Sequence, residues 1–116
     1  VILDSEGTLA DALGEFEQLV LLAVLQLEDE AHAASVRETI EDGARRRVSR
    51  GALYATLDRL TSKGFLDWQV EESTPARGGI PRRRFRVTKE GLAALRHSYN
   101  AVRTLSRGLE SVLRES

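Results

Sequence analysis

Residues 45–89 read RRRVSRGALYATLDRLTSKGFLDWQVEESTPARGGIPRRRFRVTK, and this stretch decides the fold. Ser49 is suited to cap a helix that begins at Arg50. Leu53, Leu57 and Leu60 follow at i, i+4 and i+7, one face of that helix. Gly64 stops it at the position where a left-handed residue is wanted, just past Lys63. From Leu66 to Glu72, Trp68 and Val70 alternate with polar residues, as in a half-buried strand. Pro75-Ala76-Arg77-Gly78-Gly79-Ile80-Pro81 is turn material. Arg82 to Val87 alternates again, so two short strands form a hairpin whose loop is longer than the two-residue optimum. A capped helix followed by a basic hairpin predicts a winged helix-turn-helix, shaped for double-stranded nucleic acid.

The faces of these elements sharpen the expectation. With the leucines on the core side, a step of roughly 100° per residue puts Gly51, Ala55, Asp58 and Ser62 opposite them, with Ala52 and Arg59 alongside. A solvated helix would carry Lys, Glu or Gln there. Small residues let a helix backbone approach base edges in the major groove. Ala52 and Ala55 are placed to touch thymine methyl groups, and Arg50 and Tyr54 to reach phosphate or base edges. The alternative is that the small face packs on another protein element, with Tyr54 an ordinary half-buried aromatic. In the second strand, Arg82, Arg84 and Arg86 share one face, and Arg83, Phe85 and Val87 the other. Phe85 and Val87 turn inward, and Arg83 sends its head to solvent near the turn. The planar guanidinium fork suits phosphate, and an arginine tip also fits a narrow minor groove. An edge strand guarded against aggregation is the alternative, but such guards use one or two charges, not five around one turn. The candidate DNA contacts are therefore Ser49, Arg50, Gly51, Ala52, Tyr54, Ala55 and Arg59 on the helix, with Arg77, Gly78, Gly79, Arg82, Arg83 and Arg84 on the hairpin.

Charge distribution says more than net charge. The whole chain of 116 residues carries a formal −1. Residues 1–44 hold eleven Asp/Glu and one Arg, for −10, whereas residues 45–116 hold sixteen Lys/Arg and seven Asp/Glu, for +9. Such asymmetry is a sign of nucleic-acid or anionic-surface binding, because phosphates feel the local field. Two solvated faces that pair with each other, or with a second subunit, are the alternative. There is no cysteine, which fits a reducing, cytoplasmic compartment and excludes a thiolate metal site. The longest apolar run, Leu19 to Leu25, is far short of the roughly 20 residues of a membrane span. Nothing at the start resembles a signal peptide. The chain also lacks methionine, even at position 1, so Val1 is read as lying downstream of the translation start.

Working outward, residues 1–12 look like a polar arm. Gly14 to Leu27 is apolar on almost every side and needs burial on more than one face. Ala33 to Ala44 is an amphipathic helix with Val36 and Ile40 inward. Ser35 and Glu38 have capping-box spacing, at the helix start or inside it, and Gly43 falls near its end. These elements with the hairpin make a binding domain over 13–88. Thr88 then caps a final helix, from Lys89 to about Arg114, within a dimerisation segment 89–116. In it Leu92, Leu95, Tyr99, Val102, Leu105, Leu109 and Val112 are spaced 3, 4, 3, 3, 4, 3, a narrow seam for one partner helix. Some 26 residues would span about 39 Å, more than a small domain is wide. The seam with Phe16, Leu19 and Val20 of the first helix is the expected dimer interface; a monomer with its helix folded back is the alternative. Arg96, Arg103 and Arg107 lie off the seam and could meet a partner's acidic half.

Taken together, these motifs resemble the PadR-like family of bacterial transcriptional regulators. The matching residues run from Gly14 to Leu25, through Gly51-Ala52-Leu53-Tyr54-Ala55-Thr56-Leu57-Asp58-Arg59-Leu60 and Lys63-Gly64-Phe65-Leu66. They continue through Gly78-Gly79, Arg83-Arg84-Phe85-Arg86-Val87-Thr88 and Glu90-Gly91, so that the likeness covers about residues 13–110. The resemblance implies a homodimeric winged-helix repressor, usually acting near its own promoter and sometimes relieved by a small aromatic or amphipathic effector; a two-fold dimer in turn calls for an inverted-repeat operator. Many members begin the second helix with Tyr-Gly and then a residue such as Tyr or Val. Here His32-Ala33-Ala34 stands instead, which puts a phosphate contact there in doubt.

No cofactor or metal is expected, because His32 and His97 lack ligand spacing. No catalytic motif stands out either. Trp68 reads as an anchor of the hairpin to the core. A winged-helix module that binds an acidic protein partner remains the second class of function, and a hydrolase or transferase a distant third.

Overall fold

The computed structural model describes residues 13–72, 78 and 80–114. Their order is α1 (Glu15–Leu27), a 3-10 turn (Glu28–Glu30), α2 (Ala33–Ala44), α3 (Arg50–Ser62), β1 (Leu66–Glu71), β2 (Arg82–Val87), α4 (Lys89–Ser106) and α5 (Glu110–Arg114). This is the mainly helical winged helix-turn-helix with a two-stranded wing that the sequence predicts. The expected arm, 1–12, lies outside the described residues.

α1 runs through the middle because it is apolar on several sides. It contacts α2, α3, β2 and α4, and Val20, Leu21, Ala23 and Val24 are buried. Each large aliphatic side chain so buried contributes about 1.5–3 kcal/mol. Leu22 and Leu25 remain exposed, so this protomer covers only part of the helix. α2 offers Val36 and Ile40 inward, as expected. Its N-cap is His32, and the Ser35 hydroxyl accepts from the His32 N–H at 2.9 Å. Ser35 therefore sits inside the helix rather than at its start. The left-handed residue that ends α2 is Arg45 (φ +54°), two residues beyond Gly43.

α3 is bounded by devices visible in its sequence. The Ser49 hydroxyl accepts from the Ala52 N–H at 3.1 Å. At the other end Gly64 (φ +81°) turns the chain, and the N–H groups of Gly64 and Phe65 donate to the carbonyls of Thr61 and Leu60. That paired pattern is the Schellman termination. The strands pair antiparallel in the register Leu66↔Val87, Trp68↔Phe85 and Val70↔Arg83. Leu66 and Phe85 are the side chains that enter the core; Trp68 keeps 39% of its surface exposed. The expectation that Trp68 anchors the hairpin is thus corrected: it lies across from buried Phe85 in register, but Leu66 and Phe85 are what hold the hairpin to the core. On its other edge β2 is tied to the helical part by the Phe85 N–H, which donates to Ala31 O at 2.8 Å.

α4 is keyed to the start of β1. The Thr88 hydroxyl donates to Gly64 O at 2.6 Å and accepts from the Gly91 N–H at 3.0 Å. A Cβ on Gly91 would stand 2.2 Å from the Phe65 carbonyl oxygen. Backbone cannot yield as a flexible side chain would, so Gly91→Ala must push α4 off the domain. We expect a loss of about 2–4 kcal/mol, read as a fall in melting temperature of roughly 10 °C. An unchanged melting temperature would show that α4 is not seated this closely.

Beyond Leu95, which is buried, α4 leaves its own core. Tyr99, Val102 and Leu105 are exposed, as are Leu109, Val112 and Leu113 further on. The expected single helix to Arg114 is interrupted. α4 ends at Ser106, Arg107 is extended and Gly108 is left-handed (φ +85°) before α5 begins. The Gly108 conformation breaks the helix even though the apolar spacing continues across it. Val20 and Leu95, both expected at a dimer seam, instead lie inside the protomer at 0% and 6% exposure. The radius of gyration is 16.1 Å, against about 13 Å for a compact domain of this length, as a projecting α4 requires.

Candidate nucleic-acid interface

The outward side of α3 is built by what its inward side buries. Leu53, Thr56, Leu57 and Leu60 are packed away. Arg50, Gly51, Ala52, Tyr54, Ala55, Asp58 and Arg59 are exposed. The N-terminal half of the helix therefore presents small residues to solvent, and nothing lies within 4 Å of a Cβ built on Gly51. Arg50 and Tyr54 line a groove shared with Ala33, Ala34 and Arg37 of α2. The turn that delivers α3 is clamped to α2 at both backbone groups of Val48. Arg37 Nε donates to Val48 O at 2.7 Å, and the Val48 N–H donates to Glu41 Oε2 at 2.9 Å.

Three arginines stand in that turn. Arg46 is committed to α1: its Nη1 is 3.0 Å from Glu15 Oε1 and its guanidinium lies 5.4 Å over the Phe16 ring. The side chains of Arg45 and Arg47, like that of Arg50, are exposed and take part in no hydrogen bond or ion pair among the described residues. Arg45 and Arg47 are absent from the contacts chosen by sequence. Three consecutive arginines, separated from the helix cap only by Val48, were the available signal.

The wing is different. Arg82, Arg84 and Arg86 do share a face, but each meets its cross-strand partner in register. Arg82 Nε donates to Glu71 Oε1 (2.9 Å), Arg84 Nη2 to Gln69 Oε1 (3.2 Å) and Arg86 Nη2 to Asp67 Oδ2 (3.3 Å). Glu71 also meets buried His32 Nε2 at 3.0 Å, which couples the start of α2 to the wing. The Arg82 hydrogen bond, helped by His32, holds the Glu71 carboxyl below its usual range against some desolvation. Arg83 does not send its head freely to solvent. Its guanidinium lies over Trp68 and Phe85, 5.0 and 5.5 Å from the ring centres. A cation is attracted to the negative face of an aromatic ring, which offsets the lost hydration. Gly78 is exposed and left-handed (φ +68°), whereas Arg77 and Gly79 lie outside the described residues.

Arg59 is also held from within. Its Nε donates to Glu17 Oε2 at 3.0 Å, and Lys63 Nζ reaches the same oxygen at 3.0 Å. It is thus the strut joining α3 to α1 rather than a free arginine. Burial alone would raise the Glu17 carboxyl, but the Gly14 N–H, Lys63 and Arg59 outweigh it and hold the group below its usual value. A carboxyl lowered in the folded state stabilises above its unfolded value, about 4.3. That contribution is lost as pH falls from there through the folded value. Glu17→Gln is therefore expected to unfold less steeply with acid below about pH 4.3. Parallel acid titrations by circular dichroism check this, and superimposable curves would remove Glu17 from the account.

Among the described residues no group of three or more His, Cys, Asp or Glu could hold a metal. No described helix is long and apolar enough to cross a membrane. Residues 21–97, well over half of the chain, match the family model described as transcriptional regulator PadR-like family. No curated protein matches the chain significantly. A PadR-like transcription factor from Bacteroides fragilis superposes with a TM-score of 0.68 at 24% identity, over 94% of this chain and 98% of its own. A PadR family regulator from Eggerthella lenta gives 0.64 at 26% identity, over 99% and 95%. One from Bacillus cereus gives 0.68 at 19%, over 87% and 93%.

Proposed function

Because the chain belongs to the PadR-like family of transcriptional regulators, we propose that it represses transcription as a cytoplasmic homodimer, seating two copies of α3 in major grooves of an inverted-repeat operator. The observation that carries this reading is the bare, exposed N-terminal side of α3 flanked by Arg45, Arg47 and Arg50, whose side chains have no hydrogen-bond or ion-pair partner among the described residues. Ser49, Gly51, Ala52, Tyr54 and Ala55 would line the approach to base edges, and the cations would neutralise phosphates on either side. The wing, with Gly78, Arg82, Arg83 and Arg84 and the neighbouring Arg77 and Gly79, would be a second contact. Its arginines are partly neutralised by Glu71 and Asp67. We therefore assign it a smaller share of the phosphate attraction than its arginine count suggests.

On this reading residues 13–88 bind DNA and 89–116 dimerise. Leu92, Tyr99, Val102, Leu105, Leu109 and Val112 would face a partner, together with Phe16, Leu19, Leu22 and Leu25 of the first helix. A two-fold axis through that seam sets half-sites about one helical turn, ~10 base pairs, or a multiple apart. A small effector would act by preferring one separation of the two α3 helices, since only differential affinity for two states shifts their balance.

The test is a gel-shift on DNA upstream of the protein's own gene against an unrelated duplex, repeated across salt. Binding should favour the upstream duplex. The logarithm of the affinity should fall with the logarithm of salt by about 0.9 per phosphate neutralised. A flat salt response, or equal affinity for every duplex, would overturn the reading. Failure to bind any duplex would turn attention to an acidic protein partner.

A further inference from the structure

Asp58 is a carboxylate in a place where DNA binding should not tolerate one. It lies on α3 with its side chain 69% exposed. A step of roughly 100° per residue puts it between Gly51, Ala55 and Ser62 on one narrow stripe, directly opposite the leucines. Gly51 and Ala55 carry no polar side-chain atom, so hydrogen-bonded readout through this stripe falls to Asp58 and to Ser62, one turn further from the entering end. A negative charge facing phosphates costs affinity unless it finds donors and a counter-charge. The counter-charge is present: Arg83 Nη1 is 4.0 Å from Asp58 Oδ1. Its guanidinium is held from behind by Trp68 and Phe85, so the wing presents a fixed cation to this one residue of the recognition helix.

We infer that Asp58 is a specificity-determining residue, which reads the exocyclic amino group of a cytosine in each half-site. This rests on the DNA reading above. An ionised carboxylate only accepts hydrogen bonds. In the major groove guanine presents two acceptors and thymine an acceptor with a methyl group, so both repel it. Adenine offers its N6 donor beside the N7 acceptor, whereas cytosine offers the N4 donor without an adjacent N7. Cytosine is therefore favoured. Arg83 acts as a positioning residue that offsets the charge of Asp58 and touches no base in this role.

The experiment is selection from a randomised duplex library by wild type, Asp58→Ala and Asp58→Asn, with each protein's melting temperature measured alongside. Wild type should enrich C·G at one fixed position of each half-site, and changing that pair to T·A should lower its affinity about tenfold. Asp58→Asn should switch the preference there to A·T, because an amide pairs with adenine N6 and N7. Asp58→Ala should show no preference at that position and should bind unrelated duplex more tightly than wild type, a like charge having gone. If Asp58→Ala enriches the same motif as wild type, the role of Asp58 is overturned while the DNA reading stands. If wild type enriches nothing, both fall together.

Discussion

An Ala55→Glu protein is expected to lose at least about a hundredfold in operator affinity while melting at the wild-type temperature. Ala55 is exposed at the middle of the bare stripe of α3, one turn from Gly51 and away from buried Leu53 and Leu57. Glutamate is nearly as good a helix former as alanine, and no packed neighbour has to move. The folded protein should therefore not register the change. In a complex the side chain would carry bulk and negative charge into a groove walled by phosphates. Like charges brought together at an interface cost several kcal/mol, and each 1.4 kcal/mol is tenfold in affinity. Two copies in a dimer compound the loss. Gel-shift and thermal denaturation on the same preparation separate the outcomes. A melting point lowered by more than a few degrees would mean that the small face is packed on protein. Wild-type affinity would mean that α3 is not the element that enters the groove.

The parts of this fold written in local chemistry were legible. Ser49, Gly64 and Thr88 act on backbone groups within a few residues or at one chain reversal, so the ends of α3 and the start of α4 follow from the sequence. The leucine spacing likewise fixed which side of α3 stays bare. What escaped was set by distant partners. Arg59 and Lys63 meet Glu17 across 42 and 46 residues, and nothing near any of them announces the meeting. The pairing of Arg82, Arg84 and Arg86 depends on strand register, which a long loop leaves open. Seen one strand at a time they are an arginine cluster; seen in register they are partly neutralised, and the cations without a side-chain partner among the described residues near α3 are Arg45, Arg47 and Arg50 instead. Gly108 was visible in the sequence, but the apolar spacing continues through it, and spacing alone cannot tell a continuous helix from two in line. Val20 and Leu95 carry a related lesson: a seam read from periodicity cannot say where a helix passes from its own core to a partner.

That passage from the core to an exposed apolar stripe gives the second large effect. Val102→Asp is expected to raise the dimer dissociation constant by at least about a hundredfold, whereas Leu95→Asp on the same helix should unfold the protomer. The two positions lie on one apolar stripe and differ in what covers them. Leu95 is 6% exposed within a single chain, while Val102 is 61% exposed and Leu105 79%. An aspartate at Val102 costs nothing in an isolated protomer, because water solvates it. In the proposed dimer it would be buried against Tyr99 and Leu105 of the seam without a counter-charge, at a cost of several kcal/mol per ion. The operator would feel the same change. Two recognition helices held by one seam bind as a single ligand, and a separated protomer loses the gain from linking two sites, about a hundredfold or more. Sedimentation near micromolar concentration, with circular dichroism and an operator footprint, reads all three quantities. Val102→Asp should give a folded monomer with weakened or single half-site protection. A Val102→Asp protein that still sediments as a dimer and protects both half-sites would place the seam elsewhere. Leu22 and Leu25 on α1 would then be the exposed apolar surface left to account for.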